Sequence, residues 1–147
     1  MISRLFKKKP VAATVRAPLT PATPEGVVVW AIGDIHGRLD LLEPLVEAIV
    51  TDAAESRPDR TMVVFLGDYI DRGPASAEVV RYLAGLSDDT GVEWRFLKGN
   101  HEEAMLTFLE DPGFGVEWCQ YGGDATLRSY GLREPSIRHR AEGWRAL

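Results

Sequence analysis

The sequence predicts an α/β fold with a mostly parallel sheet and flanking helices. Three apolar runs typical of strands lie at 27–32, 61–66 and 92–97, and an amphipathic helical pattern lies in each interval between them. The order β-α-β-α-β favours parallel strands, because a right-handed helical crossover returns the chain to the same end of the sheet. A chain of 147 residues that is 45% hydrophobic is long enough for one domain with its own core.

The first strand and the first helix have the clearest patterns. The run VVVWAI at 27–32 is β-branched and apolar, which is typical of a buried strand. Within 39–55, five apolar side chains recur at helical spacing: Leu41, Leu42, Leu45, Val46 and Ile49. Pro44 is compatible with this helix only near its first turn, because proline has no backbone N–H.

The remaining elements continue the alternation. The run at 61–66 predicts a second buried strand, and the run at 92–97 predicts a third strand with more alternation between apolar and polar residues. Residues 74–86 predict a helix that begins at Pro74, since proline is favoured at the first helical position. A further helix is expected over about 101–110, and the last third of the chain is predicted to be helical and rich in loops.

Charge and composition divide the chain into a leader at 1–26 and a domain at 27–147. Residues 1–16 hold five of the 17 basic residues and none of the 22 acidic residues, which leaves 12 basic and 22 acidic residues in the rest of the chain. This acidic body argues against nucleic-acid binding, which needs clustered lysine and arginine. The leader contains four prolines and no apolar run long enough for a signal peptide or a membrane span. We therefore expect a disordered leader and no stable membrane association.

The single cysteine, Cys119, excludes an intramolecular disulfide. A lone thiol fits a reducing compartment, so the sequence predicts a cytoplasmic protein.

A glycine and a polar cluster follow each predicted strand. The glycines Gly33, Gly67 and Gly99 are 34 and 32 residues apart, close to the length of a βαβ unit, about 30 residues. Parallel strands end at one edge of their sheet, so the three clusters converge there. They bring together carboxylate, amide and imidazole groups, which suit manganese, iron or zinc better than calcium.

Three motifs in these clusters resemble the signature of the calcineurin-like metallophosphoesterases. They are GDIHG at 33–37, GDYIDRG at 67–73 and GNHE at 99–102. The Asp-Arg-Gly ending of the second motif resembles the phosphoprotein phosphatase branch, which contains the serine/threonine phosphatases. The stretch YGGDATLRSYG at 121–131 resembles a segment of bacterial members of that branch. The resemblance implies the N-terminal β-α-β-α-β half of a metallophosphoesterase sandwich.

The resemblance also implies two divalent metal ions, with manganese expected and iron or zinc as alternatives. In the family pattern, Asp34 and His36 hold one ion, Asp68 bridges both ions, and Asn100 holds the second. Two such ions share a hydroxide that attacks phosphorus in line, so no phosphoenzyme is needed.

Three further residues have catalytic roles in the family pattern. His101 is implied to be the general acid, Asp71 to orient it, and Arg72 to bind the phosphate. A serine alkoxide needs a proton as it leaves, and a general acid typically accelerates such a step by about 10²–10⁴-fold. An arginine can bind two phosphate oxygens at once.

The sequence departs from the family pattern towards its end. Metallophosphoesterases of this branch usually have two more metal-binding histidines, and no residue here matches either. The remaining histidine, His139, lies in a polar stretch and is predicted to be a surface residue. The ligand set is therefore expected to be incomplete, as in a C-terminally truncated phosphatase, and hydrolysis by the 147-residue chain is expected to be feeble.

The leading functional hypothesis is a serine/threonine protein phosphatase that acts on phosphoproteins or small phosphoesters. A dinucleoside tetraphosphate hydrolase of the same superfamily is an alternative, although its relatives usually carry glutamine in place of His36. The third hypothesis is an inactive truncated module that binds metal or phosphate. The missing histidines favour this hypothesis, whereas the presence of His101, Asp71 and Arg72 argues against it.

Residues near the motifs also have simpler interpretations. Glu102 and Glu103 suit the first turn of a helix, because acidic side chains stabilise helix N-termini. Trp118 is predicted to be a core or rim residue. Arg128 fits an exposed helix face better than a second phosphate ligand.

Overall fold

The computed structural model describes residues 22–87 and 90–133, and a three-stranded parallel sheet lies at its centre. The strands are β1 (Val27–Ile32), β2 (Arg60–Phe65) and β3 (Val92–Phe96), in the spatial order β1-β2-β3. Their last residues are paired, Ile32 with Phe65 and Phe65 with Phe96. All three strands therefore end at one edge, here called the carboxyl edge, and the predicted α/β class is confirmed.

Five α-helices connect and follow the strands in the described part of the chain. They are α1 (Leu39–Ser56), α2 (Ser76–Ala84), α3 (Asn100–Glu110), α4 (Gly115–Cys119) and α5 (Gly123–Ser129), with a 3-10 turn at Pro112–Phe114. None of the described helices combines the length and the apolar character that crossing a membrane requires. Most of the predicted leader, and the stretch that contains His139, lie outside the described residues.

The main core lies between the sheet and the two crossover helices. The strands are adjacent in chain order, and the right-handed crossover rule then places α1 and α2 on the same face, where the two helices contact each other. The buried side chains of this core include Leu42, Val46, Ile49, Val63, Phe65, Val79 and Leu83. Each such side chain contributes about 1.5–3 kcal/mol of burial free energy. The opposite face is less covered, since Val29 is 43% exposed and Met62 and Val64 are only half-buried.

The prediction that α2 begins at Pro74 is wrong, because the helix begins at Ser76. Tertiary hydrogen bonds hold the preceding residues in a loop. The backbone N–H of Ala75 donates to the carbonyl of Gly37 at 3.0 Å, and the buried hydroxyl of Ser76 accepts from the N–H of Asp71 at 3.1 Å. The start of α2 therefore depends on contacts between loops that helical periodicity does not register.

Gly67→Ala is expected to destabilise the fold strongly. Gly67 has φ +107, and a Cβ atom there would collide with the backbone nitrogen of Gly99. The left-handed conformation alone costs a non-glycine residue about 1–3 kcal/mol of unfolding free energy. Urea unfolding measures the loss. Gly33→Ala is the matched control, because a Cβ at Gly33 would meet no atom of the described part of the chain within 4 Å. An equal loss in both variants would contradict the steric explanation.

Candidate metal centre

Backbone hydrogen bonds join the loops that follow β1 and β2. The N–H groups of Ile35 and His36 both donate to the carbonyl of Asp68, at 3.0 and 2.9 Å. The N–H of Gly37 donates to the carbonyl of Tyr69 at 2.8 Å. The two predicted ligand loops are therefore fixed to each other, independently of any ion.

These loops hold several non-glycine residues in the left-handed backbone conformation. The φ angles are 44° at His36, 56° at Asp68, 73° at Asp71 and 67° at Arg72. Among the described residues, Arg57 at the end of α1 is the other non-glycine residue with positive φ. Each such residue costs about 1–3 kcal/mol and persists because surrounding contacts hold it. Such strain concentrates at functional sites, which supports a function at the carboxyl edge.

The side chains of His36, Asp68 and His101 form a possible metal-binding cluster. One ligand atom from each lies within 4.8 Å of the others. The Nδ1 atom of His36 donates to the carbonyl of Ile70 at 2.8 Å, so its Nε2 atom carries the lone pair. This Nε2 is buried and has no hydrogen-bond partner among the described residues. An unpaired buried acceptor beside a carboxylate fits a divalent transition-metal ion.

The other two predicted ligands lie at the same edge. Asp34 is 66% exposed, and its Oδ2 atom is 3.6 Å from Nε2 of His36. Asn100 is the first residue of α3 and is exposed. The structure thus brings Asp34 against the His36 imidazole and places Asn100 immediately before His101 in the chain.

His101 is part of a buried hydrogen-bond network around Asp71. The imidazole is 4% exposed and its Nδ1 donates to Oδ2 of Asp71 at 2.7 Å. The Asp71 side chain is fully buried. Trp118 Nε1 donates to the same oxygen at 2.8 Å, and the Thr126 hydroxyl donates to Oδ1 at 2.7 Å. Three donors therefore satisfy a carboxylate that would otherwise be costly to bury.

Arg72 completes the ring contacts of His101. Its Nη2 atom donates to Nε2 of His101 at 3.0 Å. Both ring nitrogens of His101 are therefore engaged, which makes His101 a poorer metal ligand than His36 in this arrangement. The Arg72 backbone N–H donates to the carbonyl of Gly122 at 3.1 Å. A Cβ atom at Gly122 would meet the Arg72 backbone nitrogen, so this close approach requires glycine.

A cavity of about 280 Å³ lies beside Arg72, and Arg128 is among its lining residues. Arg128 donates to Asp124 at 2.7 Å within α5, and its side chain is 55% exposed. The exposure of the Arg128 side chain agrees with the prediction that this residue lies on an exposed helix face.

Several contacts at the site were missed by sequence reasoning. Glu102 does more than stabilise a helix end, because its carboxylate accepts hydrogen bonds from the backbone N–H groups of Asp68, Tyr69 and Gly99. Trp118 is buried as predicted, yet its indole N–H also serves Asp71. The glycines in this region are the sequence signal for such close contacts. At Gly123, for example, a Cβ atom would collide with the Trp118 ring.

Tyr69 links the loop after β2 to the loop after β3. Its hydroxyl donates to the carbonyl of Leu97 at 2.5 Å. Burial and the nearby negative charge of Glu102 raise the pKa of Tyr69 to about 12. The hydroxyl therefore stays protonated and remains a donor at neutral pH.

Similar proteins include phosphatases of protein and nucleotide substrates. Serine/threonine-protein phosphatase 2 of Escherichia coli is 35% identical over 97 residues, which are 65% of this chain and 38% of that protein. The catalytic subunit A2 of serine/threonine-protein phosphatase 2B of Saccharomyces cerevisiae is 36% identical over 107 residues, 73% of this chain and 15% of that protein. The asymmetrical bis(5'-nucleosyl)-tetraphosphatase PrpE of Bacillus subtilis is 33% identical over 82 residues, 54% of this chain and 33% of that protein.

The matched region spans less than two fifths of the length of each of these relatives. A family model described as calcineurin-like phosphoesterase matches residues 27–140, which is more than half of the chain. The matched residues include every strand and helix described above and all three motif loops. This chain therefore belongs to the calcineurin-like phosphoesterase family, a lineage of hydrolases.

Proposed function

We propose that the chain carries the metal-binding and phosphate-binding part of a serine/threonine protein phosphatase. The observation that carries this proposal is the buried His101–Asp71 pair, which lies beside both the metal-binding cluster and Arg72. A proton donor, an anion-binding cation and metal ligands at one point suit the hydrolysis of an alkyl phosphoester. The Asp-Arg-Gly motif and the similarity to the Escherichia coli phosphatase favour a phosphoprotein substrate. A cytoplasmic location is part of this proposal.

We assign the metal ligands as the family pattern implies. Asp34 and His36 would hold one divalent ion, Asn100 would hold a second, and Asp68 would serve both. The unpaired Nε2 of His36 and the proximity of Asp68 support this assignment. Bound ions would activate water and offset the negative charge of the phosphate. Manganese is the expected metal, and iron or zinc would suit the same ligands.

Arg72 and His101 act on the two ends of the scissile bond in this proposal. The Arg72 guanidinium has two parallel N–H groups for phosphate oxygens. If the Arg72 guanidinium moved to the phosphate, it would release the Nε2 atom of His101 that it contacts in this structure. The freed Nε2 of His101 can then take a proton from solvent water and donate it to the departing serine or threonine oxygen. Asp71 keeps the imidazole oriented by accepting from its other nitrogen.

Hydrolysis assays with the full 147-residue chain and added Mn²⁺ test the proposal. We expect release of inorganic phosphate from a phosphoserine peptide that EDTA abolishes and that Arg72→Ala strongly reduces. Diadenosine tetraphosphate should be cleaved with a kcat/KM at least tenfold lower. Activity that survives EDTA, or that is equal in the Arg72→Ala variant, would contradict the proposal.

Nucleotide hydrolysis is the second candidate function. The similarity to the Bacillus subtilis tetraphosphatase favours it, and a preference for diadenosine tetraphosphate in the same assay would replace the protein phosphatase proposal. A third outcome is Mn²⁺ and phosphate binding without turnover of either substrate. That result would identify an inactive binding module.

A further inference from the structure

Two carboxylates at the carboxyl edge bind each other's loops. Glu102, in the first turn of α3, accepts from the N–H groups of Asp68 and Tyr69, both at 2.8 Å. It also accepts from the N–H of Gly99 at 2.9 Å. In the opposite direction, Oδ1 of Asp68 accepts from the N–H of His101 at 3.1 Å. The loops after β2 and β3 are thus held together by reciprocal carboxylate-to-amide hydrogen bonds.

The bonds of Glu102 go beyond what a helix start needs. Its bond to Gly99 belongs to the N-terminus of α3 itself, where unpaired N–H groups are expected. The bonds to Asp68 and Tyr69 reach a different loop, in which Asp68 has a disfavoured φ of 56°. Hydrogen bonds to a charged carboxylate are stronger than neutral ones, so they can hold this strained backbone.

We propose that Glu102 is a positioning residue for metal binding, because it holds the Asp68 carboxylate in its ligand position before an ion arrives. This inference rests on the proposed function, in which Asp68 is a metal ligand. Glu102 acts through the backbone of Asp68: fixing that backbone, together with the Oδ1 bond to His101, fixes the direction of the whole carboxylate. A ligand fixed in advance loses less conformational freedom when the ion binds.

Glu102→Gln is the test variant, and Glu103→Gln is its matched control. Glutamine has the same shape as glutamate, but its NH2 group cannot accept from the backbone N–H groups that Glu102 serves. Glu103 is the next residue, is exposed, and pairs with Lys98, so its variant removes the same charge without removing a hydrogen bond to the loop that contains Asp68. Titration calorimetry with Mn²⁺ on the full metal-free chain measures the affinity of each protein.

We expect Glu102→Gln to weaken Mn²⁺ binding by about 10–100-fold, as for other groups that orient metal ligands, and Glu103→Gln to leave it unchanged. Thermal unfolding of the metal-free proteins separates positioning from stability. A Glu102→Gln variant that melts lower but binds Mn²⁺ with wild-type affinity would show a structural role only and overturn the inference. If the wild-type chain itself bound no Mn²⁺, the proposed metal site and this inference would both be wrong.

Hydrogen exchange of the wild-type chain gives a second test that needs no variant. Without metal, the amides of Asp68 and Tyr69 should exchange slowly, because Glu102 holds them. Exchange as fast as in the exposed loop amides would show that the loop is not held in advance. That result would overturn the inference even if the Glu102→Gln variant failed to fold.

Discussion

Asp68→Asn is expected to weaken Mn²⁺ binding at both proposed metal positions together, by more than about 100-fold. A bridging carboxylate supplies negative charge to both ions, so its loss affects each. Asparagine tolerates the left-handed backbone that Asp68 adopts. Its side-chain oxygen can also keep the hydrogen bond from the N–H of His101. The variant therefore changes the charge with little change in the loop.

Titration calorimetry with Mn²⁺ would measure both binding events in the wild-type chain and in Asp68→Asn. Asp40→Asn is a suitable control, because Asp40 is an exposed carboxylate on α1 that pairs with Arg38. The Asp40→Asn variant removes one negative charge at a position that is not at the carboxyl edge. Loss of only one of the two binding events in Asp68→Asn would show that Asp68 does not bridge.

Asp71→Asn is expected to reduce hydrolysis of a phosphoserine peptide by about 10²–10⁴-fold, the usual contribution of a general acid. Both oxygens of Asp71 accept from side-chain donors, so an amide would place its NH2 group against at least one of them. Replacing the charged acceptor of these buried donors by a neutral amide should also lower the free energy of unfolding by about 1–3 kcal/mol.

The choice of substrate separates orientation of the acid from general damage to the site. p-Nitrophenol leaves without a proton, so Asp71→Asn should reduce kcat/KM for p-nitrophenyl phosphate much less than for the peptide. Asp124→Asn makes the same chemical change at the start of α5, where the carboxylate pairs with Arg128. Equal losses on both substrates in Asp71→Asn would contradict the assigned role of His101.

Much of the fold could be predicted because its strands and helices have local patterns of apolar residues in this sequence. The apolar run at 27–32 is β1 as observed, but β1 is an edge strand in which Ile32 alone is buried, so the prediction that this strand is buried is wrong. The helical pattern at 39–55 agrees with α1 at Leu39–Ser56 to within one residue. The approach of His36, Asp68 and His101 follows from the ends of parallel strands. The order of the strands is sufficient to predict this convergence, because each loop that carries a ligand directly follows its strand.

The supporting contacts could not be predicted, because they join distant parts of the chain. Thr126 and Trp118 reach Asp71 across 55 and 47 residues. A buried tryptophan in a helical region has the same sequence pattern whether its indole N–H meets a carboxylate or not. The sequence pattern places Glu102 in the first turn of a helix, but its partners depend on how the neighbouring loop bends back.

The left-handed residues described above place stability and function in competition. Arg57 and Arg72 share this conformation, and glycine at either position would relieve roughly 1 kcal/mol of strain. Replacing Arg57 by glycine at the end of α1 would remove no residue of the proposed site. At Arg72 the same replacement would also delete the proposed phosphate-binding guanidinium. Selection for heat resistance alone would therefore drive both arginines towards glycine, whereas selection for turnover would preserve Arg72 and leave residue 57 free to drift.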